Sequence, residues 1–261
     1  MLPRVLEPET LDHLAPDDPA AVRSRRDLRR VNRVMGAQGI LGRALDRVAP
    51  EAGRALRIVE LGCGDGLLML DIARSDRPAL KNAELTLLDM SLIVAPSTLA
   101  AYADTGWRAK TATTDVLAWA DADGERWDIV VANLFLHHFE GAAMRRLLAG
   151  CARRADALVA CEPRRSRFAL AASHLVVFLG ANAVTRRDAV LSVRAGFVAD
   201  ELGRAWLDAR TRHPERSEGS TPDTRRDPSR ALRMTGGWQL DEYEDGPFTH
   251  CFCARRSAAS A

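Results

Sequence analysis

The chain has 261 residues, 47% of them apolar, which is enough for one generous domain with a sizeable core. Its formal charge is only +2 and its acids and bases are interspersed, which argues against a single-sign field for nucleic acid or an anionic membrane. The five cysteines, Cys63, Cys151, Cys161, Cys251 and Cys253, form no C-x-x-C pair and no zinc-type spacing, so free, buried thiols are expected. Only two of the 37 basic residues are lysines, so the abundance of arginine is discounted as a functional signal.

The opening stretch MLPRVLEPETLDHL lacks the basic start and unbroken apolar run of a signal peptide, and a cytoplasmic protein is expected. Asp18 then suits an N-cap, Pro19 the first helical position and Gly36 the place beyond the helix end. Leu28, Val31 and Met35 share one face of that helix, with arginines opposite. A second short helix is expected over 40–48. Residues 1–55 thus form a helical cap that either covers a site or packs on a sheet.

From residue 57, short apolar runs alternate with helical segments. Strands are expected at 57–61, 84–89, 107–113, 127–133 and 157–162, with crossover helices within 67–74, 91–103 and 141–153. A helical region follows at 164–207. Its apolar stretch from Phe168 to Val184 falls short of a span of about 20 residues and carries His174, Gly180 and Asn182, so it is expected as a core or pocket-lining helix. Two last strands, 238–244 and 248–254, are joined by Asp245-Gly246-Pro247, which suits a tight connection. The expected fold is α/β: a doubly wound, seven-stranded, mostly parallel sheet with an antiparallel last strand and helical cap elements. Residues 56–163 form its core and 238–256 complete the sheet. Between them, 208–237 is rich in charge, Pro, Ser and Gly and is expected as a mobile insertion.

The central motif is IVELGCGDGLL, a strand running into a glycine-rich turn and then a helix. Such a turn lets the backbone approach a ligand, and the helix start offers unpaired N–H groups. The dinucleotide fingerprint requires Gly or Ala at position 67, where this chain has Leu67. Gly62, Gly64 and Gly66 alternate instead, directly after Glu60. In this the chain resembles the class I S-adenosylmethionine-dependent methyltransferases, whose first motif is an acidic residue followed by G-x-G-x-G. The resemblance covers 57–162 and implies S-adenosyl-L-methionine as cofactor. It assigns Glu60, Gly62, Cys63, Gly64, Asp65 and Gly66 to the methionine portion. Asp89 falls to the ribose hydroxyls with Met90 beside it, Asp115 and Val116 to adenine, and Asn133 and Leu134 to the border of the cofactor. Beyond this core, CEPRRSR, VTRRDAVLSVRAGF and FTHCFCARR look like a bacterial subgroup of small-molecule methyltransferases, one that lacks the 208–237 interval.

Ligands in open α/β sheets bind outside the carboxyl ends of the strands, and NLFLHHF follows the fourth strand, which brings His137 and His138 near the methyl group. Either histidine can serve as base, or one of them merely caps or hydrogen-bonds. Proton transfer from a phenol of pKa about 10 to a histidine near 6.5 is uphill by about 5 kcal/mol, and from an aliphatic hydroxyl by roughly 12 kcal/mol, so a phenolic or enolic oxygen is the easier acceptor. Glu162 either orients an acceptor or a histidine or is an ordinary loop carboxylate. Arg164, with Arg165, either grips an anionic substrate or is solvated. His174 either faces the acceptor pocket or packs in the core, and His250 is expected packed or hydrogen-bonded. No metal is expected, since no carboxylates stand at ligand spacing from the histidines. The fourth motif is not the N-P-P-aromatic pattern of enzymes methylating amino groups of DNA bases or protein glutamine. The expectation is O-methylation of a small, partly apolar acceptor, without nucleic acid and without stable membrane insertion, the alternatives being N- or C-methylation or a non-catalytic cofactor-binding subunit.

Overall fold

The computed structural model describes residues 2–50, 54–91, 93–211 and 230–257. The first helix, α1 (Pro19–Met35), begins as its sequence dictates: the Asp18 carboxylate accepts from the Ala20 N–H at 2.7 Å, and Gly36 turns the chain into α2 (Ala37–Val48). Strands and helices then alternate through β1 (Arg57–Leu61), α3 (Leu67–Ala73), β2 (Glu84–Asp89), α4 (Pro96–Ala103), β3 (Arg108–Thr113), α5 (Val116–Asp121), β4 (Trp127–Asn133), α6 (Gly141–Arg154) and β5 (Ala155–Pro163). Helices α7 (Arg167–Ser173), α8 (Ala183–Ala195) and α9 (Glu201–Thr211) follow, then β6 (Arg230–Thr235), β7 (Trp238–Asp245) and β8 (Thr249–Arg256).

The sheet order is β3-β2-β1-β4-β5-β8-β7-β6, parallel from β3 to β5, with β8 antiparallel to β5 and β7. This is the expected doubly wound sheet with one strand more. Alternation along the strands feeds two cores: Ile58, Leu87, Ile129 and Val159 face α2, α3 and α4, while Val59, Leu88, Val130 and Leu158 face α5, α6 and α9. Trp127 to Ala132 are buried throughout, whereas the edge strand β3 carries Arg108 and Lys110 and blunts the sheet against further pairing. Register aligns Leu61 with Leu88 and with Ala132, and Asp89 with Thr113, so the carboxyl ends of β1 to β4 share one rim.

Three expectations change. The extra strand, β6, pairs antiparallel with β7 across Gly236 and Gly237, so part of the 208–237 interval belongs to the sheet. Residues 208–211 end α9, and 212–229 lie outside the described residues. The apolar stretch after Phe168 is no core helix: it breaks into α7, a 3-10 turn (His174–Leu179) and, past Gly180, the start of α8, leaving Phe168, Leu175 and Phe178 exposed. Finally, α1 buries Ala21, Ser24 and Asp27, and its Leu28, Val31 and Met35 are only half-buried. The partner explains this. Ser24 Oγ lies 2.8 Å from Thr185 Oγ1, and Asp27 accepts the Asn182 N–H at 2.8 Å, so α1 caps the polar start of α8. No helix among the described residues is long and apolar enough to cross a membrane.

Candidate active site

The glycine loop is held from below by the sheet. The Gly62 and Cys63 N–H groups both donate to the Leu88 carbonyl, at 2.9 and 3.1 Å. Asp89 accepts from Gly64 N–H and Ser91 N–H, each at 2.9 Å, and so joins the loop to the end of β2. Tyr102 donates its hydroxyl to the Gly66 carbonyl at 2.6 Å. Asp65 accepts from Leu67 N–H at the start of α3 and pairs with Arg29 of α1 at 2.6 Å.

Glu60 stands buried beneath this loop with one carboxylate oxygen unpartnered. Burial, and then the charges of Asp65 and Asp89, hold its carboxyl well above the usual carboxylate range. A buried acceptor beside two further acids is an arrangement that a cationic ligand would relieve. The ammonium and sulfonium of S-adenosylmethionine would supply such a charge, and a Cβ placed on Gly64 would meet nothing within 4 Å, so the loop leaves room for a ligand.

The other positions expected at the cofactor lie at or just beyond the ends of β2, β3 and β4. Met90 is exposed just past β2. Asp115 caps α5 through one oxygen, accepting from Ala118 N–H at 2.8 Å, and Val116 is buried behind it. Asn133 ends β4, and Leu134 adopts φ +51° with its N–H on the Cys161 carbonyl at 2.9 Å. A non-glycine residue in this conformation is uncommon, and here it turns the chain so that Phe135 packs against Gly62.

The histidines fall on a 3-10 turn (Leu136–His138), where their environments diverge. His137 is buried, with Nδ1 2.8 Å from Glu162 Oε2 and Nε2 3.3 Å from Glu9 Oε1. Burial pulls this ring toward neutrality, but the hydrogen bonds and charges of Glu162 and Glu9 outweigh it and hold it up to about 9. Glu9 is held below its ordinary range by the His137 bond and charge, which overcome burial, and by Ser192, whose hydroxyl donates to it. His138 packs on His137 at 4.2 Å between ring centroids, and its Nδ1 is 3.4 Å from Asp12 Oδ2. Burial and the neighbouring imidazolium press His138 below its ordinary value, and burial raises Asp12. One ring is therefore charged and the other neutral near pH 7.

Sequence reasoning missed Glu9 and Asp12, which lie more than 120 residues from the histidines and come near them only through the fold. Their segment is strapped across the rim. Asp188 accepts from Thr10 N–H and Leu11 N–H at 2.9 Å each, and Arg4 donates to the carbonyls of Phe139 and Ala195 at 3.0 and 2.7 Å. Acids three apart in LEPETLDHL were the only local hint. They also overturn the reason given against a metal: Glu9, His137 and His138 offer ligand atoms within 4.8 Å of one another.

The residues expected to meet the substrate have partners within the fold or face solvent. Glu162 is fully buried and accepts from the backbone N–H groups of Phe135, Leu136 and His137 at 3.0, 2.8 and 3.3 Å as well as from the His137 ring, so it organises the histidine turn and has no face for an acceptor. Arg164 pairs with Glu244 at 2.7 Å, and Arg165 is buried against Glu201. His174 is exposed on its turn and not packed in the core, because the chain breaks from α-helix there. His250 is packed, with Nε2 2.8 Å from Glu242 Oε1.

Residues 58–156 match a family model described as a methyltransferase domain. An O-methyltransferase family protein from Burkholderia thailandensis is similar over 93% of this chain at 17% identity and TM-score 0.56, and this chain spans 62% of that protein's length. The plantazolicin methyltransferase BamL, solved with a triazolic desmethylPZN analog and SAH, is similar over 95% of this chain and 94% of its own at 10% identity and TM-score 0.59. The pyocyanin biosynthetic protein PhzM is similar over 92% of this chain and 60% of its own at 18% identity and TM-score 0.51. At these identities the likeness is one of fold. No curated protein matches the chain. The strand, alternating-glycine loop and helix at the centre of this sheet thus fall inside the stretch of the chain that matches the methyltransferase domain.

Proposed function

We propose that the enzyme methylates a hydroxyl oxygen of a small, partly apolar, phenolic or enolic acceptor, with His138 receiving the hydroxyl proton. The observation that carries this reading is the unequal histidine pair. Both nitrogens of His137 are engaged by carboxylates, while His138 is kept uncharged and its Nδ1 faces Asp12, which leaves Nε2 for the acceptor. A base held below its ordinary pKa takes protons only from acidic hydroxyls, which sharpens the preference for phenols over aliphatic alcohols. S-adenosylmethionine, when bound, supplies an electrophilic methyl group. Glu60, Asp65, Asp89 and Asp115 would hold it at the rim with the backbone of Gly62, Cys63, Gly64 and Gly66, bordered by Met90, Val116, Asn133 and Leu134. His137 keeps its proton and keeps its neighbour deprotonated.

Incubating a cell extract with isotopically methyl-labelled cofactor and tracing the label by mass spectrometry identifies the acceptor. With that acceptor, His138→Gln is expected to lower kcat by about 10² to 10⁴ with little change in KM, and the loss should shrink as the acceptor hydroxyl becomes more acidic. A His138→Gln enzyme at full rate would sink the proposal. Turnover is also expected without a metal: dialysis against a chelator should change neither rate nor Tm. A loss that zinc restores would instead make Glu9, His137 and His138 a metal site.

A further inference from the structure

We propose that the 3-10 turn His174–Leu179 and the adjoining face of α1 dock this enzyme on the surface of an anionic phospholipid bilayer. The idea is independent of the acceptor reading and rests on a surface that the chain's net charge conceals.

The turn presents its apolar side chains to solvent. Phe178 is 83% exposed, Leu175 56% and, on α7, Phe168 63%, while Val176 alone is buried and anchors the turn. Phe168 is stacked on Phe248 at 5.6 Å between centroids, which fixes its direction. Monomeric proteins seldom leave several large apolar groups together in water without use for them.

What surrounds them is cationic. Helix α1 holds six arginines against one acid, Asp27, which is buried. Its Arg23, Arg26, Arg30 and Arg33 are spaced to form one stripe and all are exposed. The stripe touches the turn directly, since Arg30 donates to the Leu179 carbonyl and Arg23 to that of Gly180. Residues 163–187 contain five arginines and no Asp or Glu. Of these, Arg186 and Arg187 are exposed near the start of α8, which packs against both α1 and the turn. Arg23, Arg26, Arg33, Arg186 and Arg187 make no ion pair among the described residues. The acids adjacent to these arginines, Asp27 and Asp188, are buried, and Asp17 and Asp18 lie before the helix start.

Apolar groups leading and arginines flanking is the chemistry of an interfacial anchor: Phe and Leu enter the boundary between headgroups and acyl chains, and the guanidinium groups meet lipid phosphates. Phe168 is already stacked on Phe248, which leaves Phe178 as the one unstacked ring of this patch; successive bases would find no row of stacking platforms, which disfavours a nucleic acid. A second copy would bring one arginine stripe against another.

The test uses the full chain in flotation assays with vesicles of phosphatidylcholine alone or mixed equally with phosphatidylglycerol. Binding is expected to the mixed vesicles, weaker by about tenfold or more for phosphatidylcholine alone or when salt is raised from about 0.1 M to about 0.5 M. Phe178→Asp with Leu175→Asp, and separately Arg26→Glu with Arg33→Glu, should each cut binding by about tenfold with Tm and cofactor affinity unchanged. Failure to float with the mixed vesicles, or flotation indifferent to salt and to both pairs of substitutions, overturns the proposal. Retention of single-stranded RNA without flotation, or a concentration-dependent dimer abolished by Phe178→Asp without flotation, overturns it as well and gives the face to another partner.

Discussion

Replacing Glu162 by Gln is expected to cost about 3–5 kcal/mol of stability at pH 7, measured by denaturant unfolding. The carboxylate is fully buried and accepts from three backbone N–H groups and one ring N–H, so it has no spare partner and no water to fall back on. An amide offers one accepting oxygen, and its NH₂ would confront donors. The imidazolium of His137 would meanwhile keep only Glu9 as a counter-charge, at 3.3 Å. Because Phe135, Leu136 and His137 all hang from Glu162, the turn that carries His138 should loosen, and turnover should fall with stability.

This prediction carries a pH signature. The His137 ring is raised in the folded state, from an ordinary 6.5 to about 9, so its contribution is fully present below pH 6.5 and is lost as pH rises through 9. That contribution is on the order of 3 kcal/mol for such a shift. Wild type should therefore shed stability across this window while Glu162→Gln sheds much less, and the gap between them should narrow at high pH. A gap of the same size at pH 6 and pH 10 would show that Glu162 supports the turn only as a hydrogen-bond acceptor. A Glu162→Gln variant as stable as wild type throughout would remove the buried pair from the account.

The strands were legible because most of them are buried on both faces. RIVEL, ELTLLD and WDIVVAN are apolar runs bounded by polar residues, and the observed β1, β2 and β4 coincide with the expected limits. The eighth strand was missed because 208–237 was weighed by its average composition. TGGW nevertheless contains a two-glycine connection of the kind that closes hairpins, and Thr235 does pair with Trp238. The start of α1 was legible from Asp18 and Pro19, yet its buried face was not, since Ser24 and Asp27 are buried only because Thr185 and Asn182 stand opposite.

The rim itself was legible to the extent that a carboxylate at a strand end announces itself locally. What the histidines do was not. Their difference arises from Glu9, Asp12 and Glu162, two of them from a segment whose path across the rim is written nowhere in its own sequence. Net charge misled for a related reason. A sum of +2 averages the arginine stripe of α1 against acids that the fold places on other surfaces.

Gly62→Ala should be the most damaging single-methyl change in the glycine loop. The residue has φ +67°, where a Cβ costs about 1–2 kcal/mol, and that Cβ would sit 2.2 Å from a ring carbon of Phe135. The ring cannot easily yield: its backbone N–H is bound to Glu162, and it meets Phe139 edge-on at 5.2 Å. Overpacking of this kind adds about 1–3 kcal/mol, for a total of roughly 2–5 kcal/mol in unfolding experiments on the cofactor-free protein. Gly64→Ala is the matched control, since Gly64 also has positive φ, +54°, but a Cβ there meets nothing within 4 Å. It should cost the conformational part alone, about 1–2 kcal/mol. Titration calorimetry with S-adenosylmethionine should show the Gly62→Ala loop binding at least about tenfold more weakly than wild type, a difference of about 1.4 kcal/mol, because the displaced Phe135 pulls the loop from its bonds to Leu88 and Asp89. Adding Phe135→Ala to Gly62→Ala should recover part of the stability lost to the clash, which a double-mutant cycle would register as favourable coupling. Equal destabilisation by the two alanines, with no coupling to Phe135, would mean that the loop and the histidine turn are not in contact as described.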